Sequence, residues 1–369
     1  MAEISRLRLV NYRSYARLKI DTGGAKTIVI TGKNGAGKTN ILEAISMLSP
    51  AGPFRKAKPE QIGLVGAEDK TFTIFAQVGE SAVGLSCDYG GEAGAKTIVA
   101  NEANIAVHEL AMLVKIVWIT PLMDRLFSEA GAERRRFLDT LIGNFYPFYS
   151  EQVYNHAKLL AERARALKSP RVDATWADSI EEEIVRLGAS IAAMRLEFEG
   201  KINAILEQSG NGFPRIKIRV SGFVEDMLRD GKAAETEAAF AHELKANREL
   251  FSRTYSPPVE GVHRSDFSAQ NLDRRLPADQ TSTGEQKMAV ISIALASARM
   301  QKLYFDSYPI ILCDEAVAHL DREKTALLFA ALEAMPTQVW LSGIEAGDFE
   351  YFTGRSSLPL HIENSCIAP

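Results

Sequence analysis

Residues Gly32-Lys33-Asn34-Gly35-Ala36-Gly37-Lys38-Thr39 match G-x-x-x-x-G-K-[ST], the pattern of a phosphate-binding loop. The pattern demands a strand before it and a helix after it, so it constrains the fold as well as the chemistry. Thr27-Ile28-Val29-Ile30 is a short β-branched run that reads as a buried strand, and Asn40-Ile41-Leu42-Glu43-Ala44-Ile45 begins a helical pattern. The glycines let backbone N–H groups converge on phosphate oxygens, while the new helix turns the positive end of its dipole toward them. In that geometry Lys38 reaches the β- and γ-phosphates and the Thr39 hydroxyl ligates Mg²⁺. Gly32–Thr39 therefore predict a nucleoside triphosphate site.

A chain of 369 residues can bury one large core or two to three modules. Its 46% hydrophobic and 24% charged residues are those of an ordinary soluble globular protein. No stretch reaches 18 apolar residues and the sequence is polar from Glu3, so a cytoplasmic protein without a membrane partner is expected. Cys87, Cys313 and Cys366 are far apart and show neither a disulfide framework nor metal-ligand spacing. A net charge of −4 argues against a general polyanion binder, yet a local basic stripe can still act within an acidic chain.

Residues 4–20 alternate roughly by two and predict a β-hairpin or meander. Ser49–Arg55 reads as a loop. Thr71–Val78, Val83–Tyr89 and Lys96–Ile105 read as strands of an antiparallel sheet, separated by turns such as Tyr89-Gly90-Gly91. Leu113–Ile119 is nearly continuous apolar sequence and predicts a buried strand. From Ala132 to Ser209 the pattern is helical, broken at Pro147 and around Ser169-Pro170. Trp176–Gln208 alone predicts a helix on the order of 50 Å long at about 1.5 Å per residue. Two long helices joined by a Pro-containing turn read as an antiparallel arm, with two ordinary core helices as the alternative. Ile216–Val220 is a predicted strand and Glu235–Phe251 a predicted helix. Beyond the break at Ser256-Pro257-Pro258, helix Gly284–Tyr304, strand Pro309–Cys313, helix Arg322–Met335 and strand Gln338–Leu341 return the chain to a parallel α/β core. The strand near residue 312 is expected to partner the one before the phosphate loop. The nucleotide domain is then split, as 1–125 and 256–369 around an inserted 126–255.

Ile310-Ile311-Leu312-Cys313-Asp314-Glu315 is an apolar strand ending in two carboxylates, the form called Walker B. Asp314 can hold the Mg²⁺ shell together with Thr39, and Glu315 is placed to polarise an attacking water. Asp321 stands six residues on from Glu315. The long apolar helix opens with Ser282-Thr283-Gly284-Glu285-Gln286-Lys287, which admits two readings. Ser282 and Glu285 fit a capping box, while Ser282, the Gly284 N–H and the helix dipole could bind an anion. The stretch resembles the ABC signature Leu-Ser-Gly-Gly-Gln and precedes the Walker B strand as that motif does. That resemblance implies an ATP-dependent homodimer, in which the signature of one copy covers the γ-phosphate on the phosphate loop of the other.

Four further blocks resemble the RecF family of bacterial recombination mediators. They are Asn11-Tyr12-Arg13-Ser14-Tyr15, Arg134-Arg135-Arg136-Phe137-Leu138-Asp139, Gly261-Val262-His263-Arg264-Ser265-Asp266 and Asp314–Lys324. The matched blocks run from about residue 5 to residue 342. The resemblance implies an α/β fold: an ABC-type P-loop ATPase head with an antiparallel β subdomain and an inserted helical arm. It implies slow ATP hydrolysis with Mg²⁺ through Lys38, Asp314 and Glu315. It also implies that double-stranded DNA is bound near single-strand/double-strand junctions, acting with RecR and RecO and indirectly with RecA. Arg134, Arg135, Arg136, His263 and Arg264 are the candidate DNA contacts. A solvated helix start or a paired loop arginine explains the same residues structurally, and charge alone does not choose. Arg55 is a further candidate near the nucleotide. Trp118, Trp176 and Trp340 sit in apolar patterns and read as core residues. Ser342 stands where transporter ATPases carry a switch histidine. That position and the long arm weigh against the alternative of a transporter's ATP-binding subunit. A nuclease-linked ATPase would need a second acidic metal cluster, and another SMC-type protein a far longer coiled coil.

Overall fold

Alternating burial builds the first sheet. In the computed structural model, β1 (Ile4–Tyr12) and β2 (Tyr15–Asp21) form the expected hairpin, with Leu7, Leu9, Leu18 and Ile20 on the core side. The structure describes residues 3–90, 96–169, 173–208, 210, 212–231, 233–251, 255–353 and 356–368. Gly91 and Pro170, which the sequence places in turns, lie outside them. After β3 (Thr27–Thr31) come α1 (Lys38–Ser46) and the single turn α2 (Pro59–Ile62). Then β4 (Thr71–Val78), β5 (Ser81–Asp88), β6 (Lys96–Ala100) and β7 (Ala103–Asn104) extend the hairpin into one antiparallel sheet, ordered β2-β1-β4-β5-β6-β7. One face joins the core and the other faces solvent, which is why the pattern is legible as alternation. The apolar run Leu113–Ile119 divides between two elements. Leu113 closes α3 (Val107–Leu113), and only Ile116–Ile119 form the buried strand β8.

The chain divides into two compact units, one of residues 1–125, 209–214 and 282–369, the other of 126–208 and 215–281. The second unit holds α4 (Gly131–Phe145), α5 (Tyr149–Leu167), α6 (Ala174–Leu206), β9 (Ile216–Ser221), α7 (Phe223–Arg229), α8 (Ala233–Leu250), β10 (Asp266–Asn271) and β11 (Leu276–Pro277). The 33 residues of α6 span about 50 Å, and α4, α5, α7, α8 and β9 all pack on it. The long helix is thus the spine of a mixed unit, and α5, the other long helix that the sequence pattern predicts, is its most extensive partner. Trp176, read as core, is 39% exposed at its start, whereas Trp118 and Trp340 are buried in the first unit. Residues 256–281, grouped by sequence with the C-terminal half of the head, cluster here because β10 pairs antiparallel with β9 along its full length.

Two hydrogen-bond networks tie the elements of this unit together. Arg195 of α6, 2% exposed, donates to Asp139 (2.9 Å), to Glu225 (2.8 Å), to the Tyr149 hydroxyl (2.8 Å) and to the Val262 carbonyl (2.7 Å). Burial alone would lower the Arg195 pKa, but Tyr149, Asp139 and Glu225 together hold it above its ordinary value. Second, the edge of β9 that faces α6 is satisfied by side chains. Asn203 donates to the Ile218 carbonyl (2.9 Å) and accepts from the Ile218 N–H (2.8 Å). Glu199 accepts from the Val220 N–H (2.7 Å), and Arg229 donates to the Val220 carbonyl (2.7 Å). The side chains stand in for a further strand, so this edge has no unmet backbone groups at those two residues.

Back in the first unit, α9 (Thr283–Phe305) is buried almost all round between Gln286 and Ala298, as its apolar sequence predicts. It is followed by β12 (Ile310–Asp314), α10 (Arg322–Glu333), β13 (Val339–Ser342), β14 (Ser357–Glu363) and β15 (Cys366–Ile367). The core sheet is ordered β15-β14-β3-β13-β12-β8, and β14, β3, β13, β12 and β8 run parallel. This corrects the expected pairing of β3 with β12: β13 lies between them. Parallel strands buried on both faces read as continuous apolar runs, which carry no information on order. Among the described residues, no helix is long and apolar enough to cross a membrane.

Removing one partner of a buried charge network leaves the others uncompensated, at a cost of about 3–5 kcal/mol. Arg195→Met is expected to lose stability on that scale in equilibrium chemical denaturation. A loss below about 1 kcal/mol, the range of an exposed ion pair, would contradict the role given to Arg195.

Candidate nucleotide site

The phosphate loop is shaped by close backbone approach. Gly32 has φ 144°, and a Cβ there would stand 2.3 Å from the Ile362 carbonyl oxygen of β14. Gly37 has φ 110°, and its Cβ would meet the Tyr15 hydroxyl at 2.6 Å. Only glycine fits either position. Lys38 is buried and its Nζ donates to the carbonyls of Gly32 (2.7 Å) and Lys33 (3.0 Å), which holds the ammonium against the loop. Lys33, Asn34 and Gly35 are exposed, with Ala36 half-buried behind them. The first turn of α1 has neither a capping side chain nor an acidic residue of its own, so its N–H groups are not taken up from within the helix.

The Asn11–Tyr15 block is the tip of the β1–β2 hairpin and clamps this helix. Arg13 donates through Nε (2.7 Å) and Nη2 to the fully buried Glu43, and through Nη1 to the Gln61 carbonyl (2.6 Å). Asn40 donates to Ser14 (3.1 Å). Local sequence therefore fixes α1 from outside while β3 and β14 fix the loop from below.

Asp314, 2% exposed at the end of β12, is the centre of the acidic side. Its Oδ1 accepts from the Thr39 hydroxyl (3.0 Å) and from the Ser342 hydroxyl (2.7 Å), and Ser342 in turn accepts from the Glu315 N–H (3.1 Å). Burial pushes the Asp314 carboxyl above its ordinary value, while the hydroxyls of Ser342 and Thr39 and the charge of Arg55 pull it back. Arg55 is thus near enough to act on the site electrostatically. Glu315 follows with φ 47°, a left-handed conformation uncommon for a non-glycine residue. The loop beyond it is pinned by Lys287 of α9, which is buried and donates to the Ala318 carbonyl (2.7 Å) and to Asp124 (3.1 Å). Asp321 caps α10 by accepting from the Lys324 N–H (2.8 Å).

A hydroxyl and a carboxylate side by side are hard oxygen donors suited to Mg²⁺, which binds through one or two protein groups and completes its shell with water and phosphate. Among the described residues no group of three or more His, Cys, Asp or Glu could hold a metal by itself. The donor set fits an ion shared with a nucleotide. Ser282 forms the capping box of α9: its hydroxyl accepts from the Glu285 N–H (3.3 Å), and Glu285 accepts from the Ser282 N–H (3.0 Å). Ser282 is exposed and Gly284 half-buried. The structural reading of the motif is therefore realised: the Ser282 hydroxyl also donates to the Glu285 carboxylate (2.9 Å), within a turn that is exposed.

The basic candidates belong to the other unit and are largely occupied there. Arg134 is bidentate to Asp266 (2.8 and 2.6 Å), and Arg135 donates to the Ser265 carbonyl (2.7 Å). Arg136 lies 4.0 Å from Glu133, and Arg264 pairs with Glu260 at 3.0 Å while remaining exposed. His263 is half-buried, and burial lowers its pKa. The two sequence blocks 134–139 and 261–266 thus meet each other and, through Asp139 and Ser265–Glu225, the buried Arg195. Sequence reasoning misses Arg195, which looks like an ordinary helix-surface cation without its distant partners, and names Lys287 in the Ser282–Lys287 stretch without a role. It marks Ser342 only as a missing histidine. The place of Ser342 one strand over from Asp314, at the same register, is the signal that it can reach the carboxylate.

Comparison with known proteins gives one consistent picture. Residues 3–351 match the model of the RecF/RecN/SMC N-terminal domain family. The DNA replication and repair protein RecF of Agrobacterium fabrum is 34% identical over 362 residues, covering 96% of this chain and 95% of that one. The RecF protein of Mesorhizobium japonicum is 33% identical over 373 residues, covering 99% and 97%. A solved structure of the recombination mediator protein RecF-ATPrS in the RecFOR pathway superposes with a TM-score of 0.83 at 19% identity, covering 99% of this chain and 97% of that one. That likeness shows the fold, an ABC-type head with its antiparallel sheet and helical insertion.

Because folding raises the Asp314 pKa, stability falls as pH rises from the ordinary 3.8 through the raised value. Asp314→Asn keeps an acceptor for Thr39 and Ser342 and removes that loss. The nucleotide-free variant is expected to melt above the unsubstituted protein at pH 7, with the gap narrowing as the pH is lowered toward 4. A variant that melts lower at pH 7 would contradict the shift. Gly37→Ala is expected to abolish nucleotide binding by calorimetry, because the added methyl displaces Tyr15 or the loop.

Proposed function

The chain belongs to the RecF family within the RecF/RecN/SMC N-terminal domain group, and from that membership we propose that it is an ATP-dependent DNA-binding protein of DNA replication and repair. The observation that carries the reading is the hydrogen-bonded meeting of Thr39, Asp314 and Ser342 beside a glycine loop with an uncapped helix start. An ATP triphosphate lies along Gly32–Thr39, with the loop and α1 N–H groups on its oxygens and Lys38 released from the Gly32 and Lys33 carbonyls to the β- and γ-phosphates. Thr39 and Asp314 would hold a Mg²⁺, which would supply positive charge against the triphosphate. Glu315 orients the attacking water and takes its proton. Ser342 keeps Asp314 and the Glu315 backbone in register, so that the metal-holding and water-orienting carboxylates move together.

Ser282 and Gly284 have no such place in their own copy's reaction. They act on the nucleotide held by a second copy, and the solvent exposure of Ser282 at the start of α9 supports this. ATP then joins two chains, duplex DNA near single-strand gaps is held by the dimer, and slow hydrolysis releases it. Recombination partners of the RecR and RecO kind, and RecA loading beyond them, fit the same reading. The buried Arg195 network supports a structural share for Arg134, Arg135 and the 261–266 block, and leaves the exposed Arg264 as the freest of the sequence-predicted DNA contacts.

Sedimentation with and without ATP and duplex DNA tests the proposal. ATP is expected to convert monomer to dimer. Lys38→Met should remove that response, and Glu315→Gln should make the ATP dimer persist with turnover lowered about a hundredfold or more. A chain that stays monomeric with ATP, or a Glu315→Gln variant that hydrolyses at the unsubstituted rate, would refute the assignment.

A further inference from the structure

The solvent face of the β1–β2 hairpin carries an arrangement of charge that folding alone does not explain. Alternation along the strands puts Arg6 and Arg8 on that face of β1, and Arg17 and Lys19 on the same face of β2. Arg8 stands directly opposite Lys19, and Val10 opposite Arg17. Side chains two apart on a strand are about 6.6 Å apart, and directly opposed residues about 5 Å. Like charges directly opposed across a sheet are destabilising. The carboxylate present is Asp21, which takes Arg6 (3.0 Å) and Lys19 (2.7 Å). Arg8 and Arg17 enter no ion pair among the described residues. The Arg8 guanidinium lies over the Phe75 ring of β4, 5.8 Å from its centroid, so it is held along the sheet surface. Beside Phe75 the same face of β4 continues with Thr73 and Gln77, which can donate hydrogen bonds and carry no charge. A chain of net charge −4 thus concentrates four cations against one carboxylate on the solvent face of the sheet's edge hairpin.

We propose that this face is a contact surface for the phosphate backbone of duplex DNA, with Arg8 and Arg17 as its principal cations. The proposal rests on the DNA-binding reading above and names a surface other than the Arg134–Arg136 and His263–Arg264 blocks. A duplex presents one negative charge per about 1.7 Å of its axis, which relieves the Arg8–Lys19 repulsion and matches a row of cations along paired strands. Contacts of this kind hold the duplex without reading its sequence.

The test compares the full chain with Arg8→Gln/Arg17→Gln and with Arg8→Glu/Arg17→Glu. Binding to labelled duplexes of two unrelated sequences is measured by fluorescence anisotropy with ATP over a range of salt. ATP affinity and ATP-driven dimerisation are measured alongside, and Lys302→Gln serves as a control cation off this face. The neutralised variant is expected to keep ATP binding and dimerisation, and to weaken equally on both duplexes. Its salt slope should fall by about two, one for each phosphate contact removed. The reversed variant should bind more weakly still. Unchanged duplex affinity and slope in both variants would overturn the proposal while leaving the DNA-binding reading intact. Failure of the unsubstituted protein to bind duplex in any nucleotide state would overturn that reading and this surface with it. Retained duplex binding with loss of binding to polyglutamate would reassign the face to an acidic protein.

Discussion

Asp314 is a carboxylate buried at a place where burial disfavours its charge, and the candidate nucleotide site is built around keeping it there. Three elements converge to do so. The hydroxyl of Thr39 comes from α1, that of Ser342 from the end of β13, and the carboxylate itself from β12. None of the three is adjacent in sequence, and their meeting depends on the strand order β3-β13-β12. Had β3 and β12 been neighbours, the Ser342 position would lie outside the pair. With β13 between them, a small hydroxyl side chain bridges the gap and also holds the Glu315 N–H, whose residue adopts a left-handed backbone.

Much of this is legible in the amino-acid sequence. The phosphate loop states its own context, since a Gly-rich octad between a β-branched run and a helix has few other uses. The antiparallel sheet is legible because one side of it meets water, so that the buried Leu7 and Leu9 alternate with Arg6 and Arg8, and Leu18 and Ile20 with Arg17, Lys19 and Asp21. The order of the parallel strands is not, because Ile28–Ile30, Ile310–Cys313 and Val339–Leu341 are apolar on both faces and look alike. The boundary of the inserted unit is hidden for a related reason. The pairing that sets it joins Ile216–Ser221 to Asp266–Asn271, with two helices between them, and no local signal announces a partner so distant.

The basic residues show the same limit from another side. A run of three arginines at a helix start looks like a nucleic-acid contact or a solvated surface until its partners are known. Here Arg134 and Arg135 are taken up by Asp266 and the Ser265 carbonyl, groups some 130 residues away. The cations of β1 and β2 form no run in the sequence because they are scattered through an alternating pattern. Strand register, a property of the pair rather than of either strand, gathers them into one patch.

The side-chain edge of β9 has a mechanical meaning. Asn203 and Glu199 are consecutive turns of α6, and each is bonded to a backbone group of β9 that alternates at strand spacing. Two lattices of different period are locked at two points. Sliding α6 by one turn would present Glu199 and Gly200, or the residues after Asn203, to groups they do not match, and rotating it would strip both residues at once. The long helix therefore cannot act as a piston within its unit.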